Sequence, residues 1–160
     1  YTLQWGERVS DTGRLEGAKV TSGPAPSLSS GDMEIVTAGD GLVRIAGRIE
    51  VRLCATDSNG KQYEARAESV DIETEGPVRS TLALKGSFEG AAGERLFSFR
   101  MWVSVFAGLS KARLEPLILI DGQSGVVQRV QDISLDIRPV GGVRSATIGG
   151  APGWSGAPES

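Results

Sequence analysis

Apolar and polar residues alternate along most of the chain, with the two-residue period that places successive side chains on opposite faces of a β-strand. No long segment shows the apolar spacing of an amphipathic helix. The clearest strand is predicted at Arg48–Thr56, with four residues on one face: Ile49, Val51, Leu53 and Ala55. The tetrapeptide DSNG at Asp57–Gly60 follows it. Because Asn-Gly favours positive φ angles, we predict a hairpin with a type I′ turn there.

The alternation continues after Pro77, where Val78, Ser80, Leu82 and Leu84 would share one face of a strand. A longer strand is predicted at Leu96–Phe106, with an apolar face formed by Phe97, Phe99, Met101, Val103 and Val105. Its other face is also partly apolar. We therefore expect this strand to be central and covered on both sides.

Two more strands are predicted toward the C-terminus. In Arg113–Asp121, Pro116 indicates a bulge or an edge strand, because proline cannot donate to a sheet ladder. Val127–Arg138 follows the turn sequence DGQSG, and we expect three of its residues to lie inside: Ile133, Leu135 and Ile137. Four residues alternate with these and are expected outside: Asp132, Ser134, Asp136 and Arg138.

The N-terminal third is less regular. A loop is predicted at Thr21–Asp32, and weak or short strands are predicted at Leu3–Val9, Leu15–Val20, Met33–Thr37 and Leu42–Ala46. Frequent turns between about nine or ten strands predict an all-β fold, an antiparallel β-sandwich or barrel-like domain spanning residues 1–140.

The last twenty residues, 141–160, differ in composition from the rest. They are rich in Gly, Ala, Pro and Ser, which is typical of an extended, flexible segment. We expect this tail to dock on its own domain or on a neighbouring subunit, with Trp154 as the anchor. The residues expected at contacts between copies are Trp5, Trp154, Pro152 and Pro158.

The composition argues against several classes of ligand and functional site. The 160 residues suit one domain, and the net charge of −3 argues against nucleic-acid binding, which depends on clustered positive charge. There is no histidine, which removes the usual general base and the commonest metal ligand. A single Cys54 excludes an internal disulfide and a cysteine-based zinc site. We therefore expect no cofactor and no metal. We also expect no membrane span, since no run of about 20 apolar residues occurs.

Three sets of polar or aromatic residues are candidates for binding. Glu73 and Glu75, or Asp132 and Asp136, could act as paired carboxylates, although a solvated sheet face explains both pairs more simply. Trp102 could stack on a sugar ring or pack in a second layer. Three evenly spaced arginines could bind uronic-acid carboxylates, but interleaved Glu50 favours a cross-strand charge ladder; they are Arg44, Arg48 and Arg52.

Two stretches resemble a known family. VDIETEGPVRSTLALKGSF, from Val70, and FSFRMWVSVFAGLSKARLEPLILID, from Phe97, are similar to the N-terminal β-domain of exo-rhamnogalacturonan lyase-like proteins. The shared features are an acidic residue before Gly-Pro and a following Arg79, the turn FAGLS, and an Arg-hydrophobic-Glu pattern at residues 113–115. VQDISLDI at residues 130–137 resembles the family's next strand. The resemblance covers residues 70–137, under half of the chain.

The resemblance implies a carbohydrate context and an all-β fold, but no catalytic residue, because that β-domain precedes a separate helical domain in the family. We therefore expect a non-catalytic, extracellular domain of a polysaccharide-processing protein, with glycan contacts at Trp102, Arg79, Glu73 and Glu75. The alternative is a structural subunit of an extracellular filament or surface layer that exchanges its tail or a strand between copies. Enzymatic activity is not expected of the domain on its own.

Overall fold

The computed structural model describes residues 17–38, 40–121 and 129–141, together with the backbone of residues 148–149 and 155–156. These residues form strands and turns, with no helix among them. The strands are β1 (Lys19–Thr21), β2 (Ser27–Ser30), β3 (Met33–Thr37), β4 (Val43–Ile45), β5 (Ile49–Asp57), β6 (Gln62–Thr74), β7 (Arg79–Glu89), β8 (Arg95–Phe106), β9 (Ala112–Leu119), β10 (Val130–Pro139), β11 (Ile148–Gly149) and β12 (Ser155–Gly156).

Ten strands form one antiparallel sheet, which divides at β5. Strands β1 to β9 follow one another in sequence order, and β10 pairs with β5. One edge of β5 bonds to β10 along its whole length, whereas the other edge pairs with β4 near Val51 and with β6 near Ala55. Because β4 and β6 share a single edge, β1–β4 and β6–β9 extend from β5 as two layers.

A single hydrophobic core lies between these two layers. It combines Leu28 and Ile35 of the first layer with Leu84, Phe88 and residues of β8 in the second. The rings of Phe88 and Phe97 meet edge to face, with centroids 4.8 Å apart. Ser30 Oγ of β2 donates a hydrogen bond to the Phe106 carbonyl, at 2.9 Å, and so joins the layers away from β5. The predicted all-β antiparallel fold is confirmed.

Strand β7 is buried on both faces. Its inward residues include Ser80, Leu82 and Leu84, as predicted from the alternation after Pro77. Its outward residues Thr81 and Ala83 are buried as well. All five residues predicted to form the apolar face of β8 are in the core.

The DSNG hairpin is confirmed, but its predicted turn type is wrong. A type I′ turn needs positive φ at two central residues, whereas Gly60 has φ 80° and Asn59 does not lie in the positive region. The Asp57 carboxylate accepts hydrogen bonds from the amides of Asn59 (2.8 Å) and Lys61 (3.0 Å). This Asp-centred arrangement stabilises a longer loop, in which Asp57 N–H bonds to the Lys61 carbonyl and only Gly60 is left-handed.

The predicted loop at Thr21–Asp32 contains a strand that the pattern did not indicate. Residues Ser27–Ser30 form β2, and Leu28 is fully buried. One leucine between serines gives too little alternation to indicate a strand. The strand is instead fixed by pairing with β3 through a tight turn at Gly31, whose φ is 57°.

The predicted burial of β10 is also wrong. Ile133, Leu135 and Ile137 share the inward side with Ala55, Leu53 and Val51, their partners in β5, yet all three are exposed. The alternating polar residues of β10 lie on the opposite side, as predicted. The core layers do not extend over β10, which lies at the margin of the sheet.

Several predictions lie outside the described residues. These are the strand at Leu3–Val9, most of the tail, and the four residues expected at contacts between copies: Trp5, Trp154, Pro152 and Pro158. Within the tail, the backbone of β11 pairs with that of β12. In the part of the chain that the structure describes, no helix has the length and apolarity needed to cross a membrane.

Candidate functional site

A depression of about 520 Å³ lies on the outer face of β6–β9. It is lined by one aromatic residue, four charged residues and two threonines: Trp102, Glu73, Arg79, Arg113, Glu115, Thr74 and Thr81. The strand register brings these residues together from four strands. Ala83, Trp102 and Glu115 form one cross-strand row, and Thr81, Ser104 and Arg113 form the next.

Small residues form the floor of the depression. Thr81 and Ser104 are both 1% exposed, and their hydroxyl oxygens are 2.9 Å apart in a hydrogen bond. Ala83, opposite Trp102, is fully buried. Because these side chains are short, the larger side chains of neighbouring positions can lie over them. Because the two hydroxyl groups bond to each other, burying them costs little free energy.

Trp102 is held by a charged neighbour. The Arg100 guanidinium carbon lies 4.6 Å from the centroid of the Trp102 ring, in a cation–π contact. Arg100 Nη2 also donates to Glu73 Oε2 at 2.8 Å. Glu73 reaches this position because the pairing of β6 with β7 shifts register between Ile72 and Thr74. The half-buried indole is therefore fixed in orientation while it lines the depression.

The charges around the depression are not fully paired with one another. Arg113 Nη2 bonds to Glu115 Oε1 at 2.8 Å, and Arg100 pairs with Glu73. Arg79 is exposed and has no carboxylate partner among residues 17–38, 40–121 and 129–141. The arrangement thus has three guanidinium groups, two carboxylates and one aromatic ring. It can accept a planar or ring-shaped ligand that carries a negative charge.

Three of the four predicted glycan contacts come together here, namely Trp102, Arg79 and Glu73. Glu75 is exposed beyond the end of β6 and is not part of the lining. The sequence analysis did not single out Arg113 and Glu115 as contacts. Their two-residue spacing places both side chains on one face of a strand, which the sequence alone could indicate. Only the pairing of β8 with β9 shows that this face lies beside Trp102.

A second, smaller cleft of about 140 Å³ lies where β4 and β6 meet the same edge of β5. Arg52 spans this point, with Nη2 2.9 Å from Asp40 Oδ2 and Nη1 in contact with Glu64. Arg44 pairs with Glu50 at 3.0 Å. The predicted charge ladder is thus confirmed for Arg44 and Arg52, whereas Arg48 precedes β5 and pairs with no carboxylate among the described residues. The arginines here are already matched with carboxylates, which makes this cleft the weaker candidate.

Several ionisable groups have displaced pKa values, but they lie outside the depression. Burial is the main cause of a raised pKa at the Cys54 thiol, and nearby Asp136 and Glu64 raise it further. The thiol is therefore protonated at neutral pH. Among the described residues, no group of three or more Cys, Asp or Glu side chains could hold a metal ion.

In comparisons with known proteins, no protein-family model, no curated protein and no solved structure matches the chain. The resemblance to the β-domain of exo-rhamnogalacturonan lyase-like proteins therefore stays a prediction.

Proposed function

We propose that this chain is a non-catalytic glycan-binding domain, and that its ligand is an acidic polysaccharide containing uronic-acid residues. The observation that carries the proposal is the convergence of Trp102, Arg79 and Glu73 from three strands in one depression. The sequence predicts these three residues as glycan contacts, and the register of β6, β7 and β8 brings them together.

The chemistry of the depression suits such a ligand. An indole ring offers an apolar surface to the C–H face of a pyranose. Arg79, which pairs with no carboxylate in the described ranges, can form a charge-assisted hydrogen bond with a uronate carboxylate. Arg113 and Glu115 add a donor and an acceptor for hydroxyl groups on the adjacent strand. The proposal assigns binding and positioning to these residues, and catalysis to none of them.

Calorimetric titration with oligogalacturonate tests this proposal, with a neutral glucan oligosaccharide as the comparison ligand. We expect binding of the uronate only, weakened by added salt because the contact is partly ionic. Arg79→Ala should reduce affinity about tenfold, the value of one lost charge-assisted hydrogen bond. Arg48→Ala is the matched control, since Arg48 is exposed and lies outside the depression. No uronate binding at about 1 mM protein, or equal losses in the two variants, would contradict the proposal.

The alternative function, a structural subunit of a filament or surface layer, was predicted from the tail and from a strand near the N-terminus. Its contact residues lie outside the described part of the chain, whereas three of the glycan contacts line the depression beside β8. Either function is expected outside the cell.

A further inference from the structure

Strand β10 presents an apolar row that no described part of the chain covers. Ile133, Leu135 and Ile137 are 42%, 36% and 58% exposed, and they are adjacent on one face of the strand. One edge of β10 pairs with β5. Among residues 17–38, 40–121 and 129–141, no strand pairs with its other edge.

The backbone groups on that second edge belong to the same apolar residues. Val140 N–H donates to the Arg48 carbonyl, and this pair continues the register in which Arg138 lies opposite Glu50. In an antiparallel ladder, hydrogen-bonded residues alternate along the strand. The even-numbered residues from Asp132 to Arg138 therefore bond to β5, and the N–H and C=O groups of Ile133, Leu135 and Ile137 point away from it.

One register of β10 against a second β10 satisfies both the backbone and the side chains. If two copies pair antiparallel about a two-fold axis through Leu135, Ile133 of each lies opposite Ile137 of the other, in hydrogen-bonded pairs. Asp132 then lies opposite Arg138 on the other face, twice per dimer. Pro139 falls opposite Gln131 and ends the ladder, because proline has no N–H.

The neighbouring registers are unfavourable. Moving the axis to Ser134 places Asp132 opposite Asp136, and moving it to Asp136 places the two Asp136 carboxylates opposite each other. Like charges directly opposite destabilise an antiparallel pair. Centring on Ile137 would place Asp136 opposite Arg138, but it places Leu135 opposite Pro139 and Ile133 opposite Gly141, so the apolar row selects the register centred on Leu135. In that register Arg138, which also donates to Asp136 of its own strand at 2.8 Å, lies between two carboxylates.

We propose that two copies of this chain associate through β10 in this register and form a closed two-fold dimer in which the sheets are continuous. The contact is isologous, so it uses the same edge of both copies and does not by itself extend into a filament. It is independent of the glycan-binding proposal, because β10 contributes nothing to the depression beside Trp102.

Sedimentation equilibrium tests the association. We expect a mass that rises with concentration from 16.8 kDa toward twice that value. A mass that stays at 16.8 kDa up to about 1 mM would overturn the proposal, as would assembly beyond the dimer.

Reversing the charges at positions 132 and 138 tests the register of the dimer. Arg138→Asp places carboxylates opposite each other in both pairs, and Asp132→Arg does the same with guanidinium groups. Each variant alone should dimerise at least about tenfold more weakly than the natural chain. A mixture of the two should restore the affinity, because every facing pair is again opposite in charge. Circular dichroism confirms that each variant is folded. Equal dimerisation of the variants and the mixture would contradict the register.

Hydrogen exchange distinguishes two possible partners of this edge of β10: a second copy of the chain, or a segment of the same chain. Amides of Asp132, Ser134, Asp136 and Arg138 should be protected at every concentration, because they bond to β5. Amides of Ile133, Leu135 and Ile137 should become protected only as the dimer forms. Protection of these three amides that does not depend on concentration would overturn the proposal, since it would show that the chain's own residues cover the edge.

Discussion

Strands β8 and β10 carry the same alternation of apolar and polar residues and have opposite surroundings. The inward row of β8, from Phe97 to Val105, is 2% exposed or less, whereas Ile133, Leu135 and Ile137 of β10 are 36% to 58% exposed. The polar rows also differ. That of β8 carries Trp102 into a depression, and that of β10 bears the charges Asp132 and Arg138 on a strand whose second edge pairs with no described strand.

The difference shows that alternation determines which side chains share a face, but not whether anything covers that face. Coverage depends on the order of strands in the sheet. Strand β8 lies between β7 and β9 and beneath the first layer, whereas β10 is added on the far side of β5. In our account β8 supports a ligand site with its outer face, and β10 supports self-association with the edge that points away from β5.

The largest effect expected from this comparison is on stability. Phe97→Ala should lower the free energy of unfolding by about 3–5 kcal/mol, because it leaves a cavity in a fully buried site. Leu135→Ala should cost less than about 1 kcal/mol in the monomer, where much of that side chain already meets water. Urea denaturation at low protein concentration measures both. Similar losses in the two variants would mean that β10 is as well covered as β8.

A smaller loss is expected where the backbones of β6 and β7 approach closely. A Cβ at Gly86 would lie 1.8 Å from the Arg66 carbonyl oxygen, so Gly86→Ala must displace the backbone. We expect a cost of about 1–3 kcal/mol. Gly76→Ala is the control, because its Cβ would meet only the Arg79 carbonyl oxygen, at 3.4 Å. Thermal unfolding of both variants measures these losses. A Gly86→Ala variant as stable as the natural chain would contradict the close approach of β6 and β7.

The smallest effect concerns acid sensitivity at the end of the β8–β9 pair. Asp121 accepts hydrogen bonds from Ser98 Oγ (2.6 Å) and Ser98 N–H (2.8 Å), and Arg95 lies beside it. These contacts lower the pKa of its carboxyl below the usual value of about 3.9. A lowered folded-state pKa contributes stability above the unfolded pKa, and this contribution is lost as pH falls through the folded value.

Asp121→Asn should therefore flatten the fall in stability below about pH 4, without removing it, because Asp57, Asp71 and Glu94 also have lowered pKa values. Ser98→Ala keeps the Asp121 carboxyl but removes its closest hydrogen-bond donor. Its profile of stability against pH should therefore lie between those of the natural chain and Asp121→Asn. Melting temperatures measured from pH 2 to pH 7 report the result. Identical profiles for all three would contradict the role of Asp121.

Strands β7 and β8 of the second layer could be predicted from sequence because each has its own unbroken alternation. The DSNG hairpin was predictable as a reversal, but not as a turn type, because Asp57 reaches two amides beyond the local Asn-Gly preference. The burial of Leu28 in β2 depends on the second layer, which is distant in sequence, and the exposure of β10 depends on the order of strands in the sheet. No local pattern contains that information.

The site was partly predictable for the same reason. Trp102, Arg79 and Glu73 could be selected by residue type and by their resemblance to a known motif. Their proximity, and the addition of Arg113 and Glu115, follow from the register of four strands, which the sequence alone does not determine.

The most direct test of the account is titration of oligogalacturonate into Trp102→Ala and Leu135→Ala, two truncations on the contrasted strands. We predict that Trp102→Ala weakens binding about tenfold or more, while Leu135→Ala binds as the natural chain does. Unchanged affinity in Trp102→Ala, or an equal loss in Leu135→Ala, would contradict the assignment of glycan binding to the outer face of β8.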